Sequence, residues 1–100
     1  MLITNPPFIR ALEFALHAID LKIPKICLLL RTIWMETAER RDKLFLPHPP
    51  ARIYQISERL PFMHREGYAG KKLKKGTTPY SWFIWDSAHA GETLLRWRRK

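Results

Sequence analysis

The residues with the clearest chemical potential lie near the start of the chain, in Ile3-Thr4-Asn5-Pro6-Pro7-Phe8. An apolar strand end runs into Asn-Pro-Pro-aromatic, and a helical pattern follows at once. This order suits a site that holds a planar nitrogen. The exocyclic amine of a nucleobase is a poor nucleophile because its lone pair is delocalised into the ring. Two acceptors aimed at its hydrogens pull the nitrogen toward tetrahedral geometry and free that lone pair. Asn5 offers a side-chain carbonyl and Pro6 a backbone carbonyl. Consecutive prolines fix φ, so the Pro6 carbonyl is set in place beforehand. Phe8 offers a flat face on which a base can stack. The same residues also suit a plain strand-to-helix turn, because Asn-Pro and Pro-Pro are turn dipeptides.

Two further groups stand at the predicted ends of strands, where ligands of open α/β sheets bind. Arg31-Thr32 is one and Ser57-Glu58-Arg59 is the other. Together with Asn5 they line one cleft if the strands run the same way. Arg31 has a second reading as a salt bridge facing a helix. Phe62 is either a second aromatic wall against a flipped base or an apolar plug. Lys71, Lys72, Lys74 and Lys75 form the densest charge cluster. They read either as a solvated, flexible loop over 62–78 or as phosphate contacts. Arg96, Arg98, Arg99 and Lys100 surround Trp97 at the basic end of the chain and carry the same two readings.

The elements that position these residues follow from periodicity. Residues 1–4 read as a strand end. Phe8, Leu12, Ala15, Leu16 and Ile19 form one apolar helical stripe, closed by Lys22-Ile23-Pro24. Residues 26–32 read as a strand buried on both faces. Strand, helix and strand in that span make a βαβ unit. A second helix is predicted over 36–45, with Glu36 and Glu39 early and Arg40, Arg41 and Lys43 late, as the helix dipole favours. Residues 52–56 give a third strand. Residues 80–86 and 93–98 are predicted to pair as an antiparallel hairpin. Asp86 is expected to cap the intervening turn.

One hundred residues make a single small domain with one modest core. A net charge of +9 points to a polyanionic partner, most simply nucleic acid. Cys27 is the only cysteine and sits in an apolar run, so it reads as a buried thiol and excludes an internal disulfide. That fits a reducing cytoplasm. The apolar run at 26–30 is too short to span a bilayer, which argues against a membrane partner. The four histidines show no metal-ligand spacing. No P-loop and no Gly-x-Ser-x-Gly elbow is present.

Asn5-Pro6-Pro7-Phe8 resembles the catalytic motif of amino-group methyltransferases. Leu29-Leu30-Arg31-Thr32, Pro50-Ala51-Arg52-Ile53-Tyr54, Ser57-Glu58-Arg59-Leu60-Pro61 and Tyr80-Ser81-Trp82-Phe83-Ile84-Trp85-Asp86 follow in the order found in phage and prophage adenine-specific DNA methyltransferases. The resemblance implies an α/β fold: a partial Rossmann-like sheet of three parallel strands and an antiparallel hairpin, flanked by two helices. It implies S-adenosyl-L-methionine as methyl donor, DNA (or RNA) as partner, and a bacterial or phage-infected cytoplasm. By the same resemblance Asn5 and Pro6 orient the adenine N6, Pro7 stiffens the turn and Phe8 stacks on the base. The family's Gly-rich donor loop precedes the Asn-Pro-Pro strand, and none of Gly67, Gly70, Gly76 and Gly91 forms it. The chain therefore reads as the catalytic half alone, needing a donor-binding polypeptide or self-associating through the open edge of its first strand. The alternative is a small basic nucleic-acid-binding module without chemistry.

Overall fold

Ile26-Cys27-Leu28-Leu29-Leu30 is apolar at every position, so it is stable only with both faces covered. In a computed structural model of the chain, which describes residues 1–56 and 79–98, this run is the middle of β2 (Lys25–Arg31), and all five residues are buried. β1 (Leu2–Thr4) pairs with it in parallel, Leu2 opposite Ile26 and Thr4 opposite Leu28. The connection between them is a 3₁₀ turn at Phe8–Arg10 followed by α1 (Ala11–Asp20). The βαβ unit expected from the sequence is present. Ala11, Ala15 and Ala18 face the sheet and are buried, and such small side chains let the helix axis approach it closely.

α1 ends in a Schellman motif. The Ile23 N–H reaches the Ala18 carbonyl at 3.4 Å, and the Lys22 N–H reaches the Ile19 carbonyl at 2.9 Å. The residue that must turn left-handed is Lys22, at φ 60°. Glycine normally fills this position because a Cβ is disfavoured there. Lys22→Gly is expected to raise unfolding stability by about 0.5–1 kcal/mol, the relief of strain outweighing the extra chain entropy. Urea denaturation at neutral pH measures it, and a lower midpoint would contradict the expectation.

The second helical region is less regular than one helix over 36–45. A 3₁₀ segment spans Thr32–Glu36, α2 spans Ala38–Arg40, and a π-type turn carries the chain through Arg41–Phe45. Thr37 caps α2, its Oγ1 accepting from the Arg40 N–H at 3.2 Å. Trp34 and Leu44 are fully buried from this region. They join Ala11, Leu28, Leu30, Ile53, Phe83 and Trp85 in the main core, between the helices and one face of the sheet. Trp34 lies edge-on to Phe45 and Phe83.

The sheet order is β1-β2-β4-β3-β5, with β3 at Arg52–Ile56, β4 at Tyr80–Asp86 and β5 at Leu94–Arg98. This corrects the predicted hairpin. β4 lies between β2 and β3 and is antiparallel to both, while β5 runs parallel to β3 on its outer side. The three strands expected to be parallel do share one direction, but only β1 and β2 are neighbours. Burial explains the exchange. Phe83, Ile84 and Trp85 are buried consecutively, on both faces of β4, so it takes a central place. Every residue of β5 is exposed, so it stays at the edge. The link after β4 carries the chain past the start of β3. There Thr93 Oγ1 donates to the Pro50 carbonyl at 2.6 Å and the Leu94 N–H to the Ala51 carbonyl at 3.0 Å. The fold is thus a mixed α/β domain.

Candidate functional site

β1, β2, β3 and β5 all end at one edge of the sheet, where β4 begins: Arg31 stands opposite Tyr80, and Gln55 opposite Ser81. Asn5, which follows β1, and Arg31, which ends β2, therefore lie toward the same end of the sheet. Ser57, Arg59, Phe62, Lys71, Lys72, Lys74, Lys75 and Arg99 lie outside the described residues, as does the predicted loop at 62–78. Asn5 is exposed, Pro6 is buried, and Pro7 is exposed at φ −59° and ψ 136°. The Pro7 carbonyl accepts from the Arg10 N–H at 3.1 Å and so opens the turn that carries Phe8. Buried Pro6 anchors the turn while Asn5 stays accessible beside it.

Phe8 is half-buried, and two guanidinium groups meet its ring. Arg31 Cζ lies 4.6 Å from the ring centroid and Arg40 Cζ lies 5.0 Å from it. Arg40 also donates from Nη1 to the Trp34 carbonyl at 2.9 Å. The salt bridge considered for Arg31 is not formed among the described residues. Its place is taken by attraction to the negative face of the ring. Sequence spacing gives no sign of Arg40, which arrives from α2 through the tertiary fold.

The same edge holds a polar knot that sequence reasoning missed. Thr32 Oγ1 lies 2.7 Å from Ser81 Oγ, and each hydroxyl lies 3.1 Å from Gln55 Oε1. Two hydroxyl protons cannot serve three such contacts at once, so one contact always lacks a proton. Gln55 Nε2 donates onward to the Tyr80 carbonyl at 3.2 Å. These bonds join β3 and β4 to the residue that follows β2, and hold the edge rigid where Arg31 emerges. Arg98 sits at this edge too, over the Tyr54 ring at 4.5 Å. Four interstrand spacings of about 4.8 Å place β5 roughly 19 Å from β1. Arg98 and Asn5 therefore stand on opposite sides of the sheet at this end.

The opposite edge is built differently. A cavity of about 400 Å³ opens there, walled by Ile23, Pro24, Ile26, Pro49 and Trp85, with His48 and Asp86 as polar neighbours. It is mainly apolar, and Asp86 and the His48 carbonyl are engaged within the protein. The His48 carbonyl accepts from Trp85 Nε1 at 2.7 Å. Asp86 caps its turn as expected, accepting from the Ala88 N–H at 3.0 Å, and also pairs with Arg52 at 3.1 Å and Lys25 at 3.8 Å. These partners, the Ala88 N–H first and then Arg52, hold the Asp86 carboxyl below its ordinary pKa. A carboxylate so lowered stabilises the fold above the ordinary value of about 4, and the contribution fades as pH falls through the lowered native value. Asp86→Asn should therefore flatten the acid limb of stability against pH below about 4. Urea midpoints across that limb check this, and identical limbs for parent and variant would contradict it.

Cys27 is buried, and desolvation raises its thiol pKa, so it is a packed thiol and not a nucleophile. Among the described residues no His, Cys, Asp and Glu group of three or more could hold a metal ion. No described helix is long and apolar enough to cross a membrane.

Comparison with protein-family models, curated proteins and solved structures finds no match to this chain. The described residues do not fit S-adenosyl-L-methionine by themselves. The one described glycine, Gly91, lies between β4 and β5 and not in a loop between strand and helix.

Proposed function

We propose that this chain holds the target base of an adenine-N6 DNA methyltransferase that uses S-adenosyl-L-methionine. The observation that carries the reading is the accessible Asn5 at the end of β1, directly followed by buried Pro6 and half-buried Phe8. Asn5 Oδ1 and the Pro6 carbonyl accept the two hydrogens of the adenine amine. Phe8 supports the base plane. The positive charge of the chain draws the DNA backbone to the protein. The Rossmann-like character of the sheet belongs to the same reading. It is supported by the βαβ start and by the common direction of β1, β2 and β3.

A second reading is favoured by the lack of a donor cradle among the described residues. On that reading the chain is a basic nucleic-acid-binding module in which Asn5 has no chemical role. One assay separates the two. The chain is incubated with duplex DNA and labelled donor, alone and with a separately expressed donor-binding half of an adenine methyltransferase. The proposal expects N6-methyladenine only in the combined reaction. DNA binding without transfer in any combination would favour the second reading, and methylation of cytosine would overturn the choice of adenine.

A further inference from the structure

Four cationic side chains among the described residues are half-buried: Lys25, Arg31, Arg40 and Arg52. A cation removed from water needs an anion or a set of acceptors in exchange. Lys25 and Arg52 have one, because both pair with Asp86. Among the described residues Arg31 and Arg40 have no anion. No described carboxylate is within ion-pair distance of either. Glu39, beside Arg40 in sequence, is bound to Lys43 at 3.2 Å. Among the described residues Arg40 uses one donor on the Trp34 carbonyl, and the Arg31 side chain meets the Phe8 ring. Two guanidinium groups, ten N–H donors between them, are thus gathered on one aromatic ring, and among the described residues one of those donors is committed.

We propose that Arg31 and Arg40 together bind one phosphodiester of a nucleic-acid strand. Each Cζ lies within 5.0 Å of the same centroid, so the two are at most about 10 Å apart, within reach of one phosphate after side-chain rotation. The phosphate offers each guanidinium a charge-assisted, forked contact in place of a ring face. The exchange matters for Phe8, because an arginine lying on the ring occupies the surface that a base would use. Phosphate binding draws the arginines away and opens that surface. This coupling rests on the proposed role of Phe8, but the phosphate site itself requires no methyl transfer.

The experiment measures binding of a fluorescent duplex oligonucleotide by anisotropy over a range of salt, with no methyl donor present. The variants are Arg31→Gln/Arg40→Gln, Arg31→Lys/Arg40→Lys, and Lys22→Gln/Arg41→Gln as a control that removes equal charge from exposed positions. The Gln pair at the ring is expected to flatten the slope of log affinity against log salt by roughly 0.9, the value for one phosphate on duplex DNA. The Lys pair keeps the charge without the planar fork, so it should keep the slope and lose several-fold in affinity. It also serves if the Gln pair fails to fold. An unchanged slope in the Gln pair would overturn the site, as would a Lys pair equal to the parent. A loss of slope no greater than that of the control would overturn it too, because net charge alone would then suffice. Since only binding is measured, a negative result in the methyl-transfer assay leaves this test intact.

Discussion

Phe83→Ala should cost this domain most of its stability and leave the chain largely unfolded at physiological temperature. Phe83 is fully buried at the centre of the sheet, opposite Leu28 of β2 and Ile53 of β3. Its ring lies 5.2 Å from Trp34 and 6.2 Å from Phe45, so one side chain joins both central strand pairs to the second helical region. Truncation removes the transfer energy of the ring and leaves a cavity whose walls are aromatic and slow to collapse. A buried Phe→Ala change costs about 3–5 kcal/mol. Small domains have little more than that to lose. Far-UV and near-UV circular dichroism with urea denaturation measures the effect. A loss below about 1 kcal/mol would mean that the core is centred elsewhere.

The order of elements was readable because each local signal agreed with its environment. The run at 26–30 is apolar throughout and is buried throughout. The stripe from Phe8 to Ile19 packs against the core, but mostly as partly buried residues, and the fully buried helix face is Ala11, Ala15 and Ala18. Pairing was not readable to the same degree. A short link between two strand patterns suggests a hairpin, yet β4 is apolar on both faces and needs strands on both sides. Only the competition among all five strands for the central place decides that Tyr80–Asp86 wins it and Leu94–Arg98 is moved to the edge. At the candidate site, Asn5 and Arg31 were legible because strand ends converge in a sheet of this kind. Arg40 and the knot of Thr32, Gln55 and Ser81 were not. Ser81 lies 49 positions from Thr32, and no sequence period links them. Ser81 looks like an ordinary strand residue until its full burial shows that its hydroxyl must be satisfied within the protein.

Asn5→Ala should lower methyl transfer to adenine by about a hundredfold in the combined reaction. Removing one preorganised polar group from a catalytic site costs roughly that much or more. The loss is incomplete because the Pro6 carbonyl remains and the backbone of the turn is set by the prolines. Stability should change far less than the rate, since the Asn5 side chain is exposed and not part of the core. DNA affinity should also change little, because most of it comes from phosphate contacts. A fall in rate with stability and affinity preserved is what distinguishes a residue that touches the amine from one that merely supports the turn.

The central claim, that this edge holds an exocyclic amine, is tested most directly without any transfer. The measurement compares affinity for a duplex carrying one extrahelical adenine with affinity for the same duplex carrying purine there. Purine differs from adenine only in lacking the amine, and an extrahelical base is already largely out of the stack. Two hydrogen bonds to the amine, each contributing about 0.5–1.5 kcal/mol, predict a preference for adenine of about 30-fold at the middle of that range. Asn5→Ala should reduce that preference to a few-fold, the share left to Pro6. Equal affinity of the parent chain for the two duplexes would contradict the account.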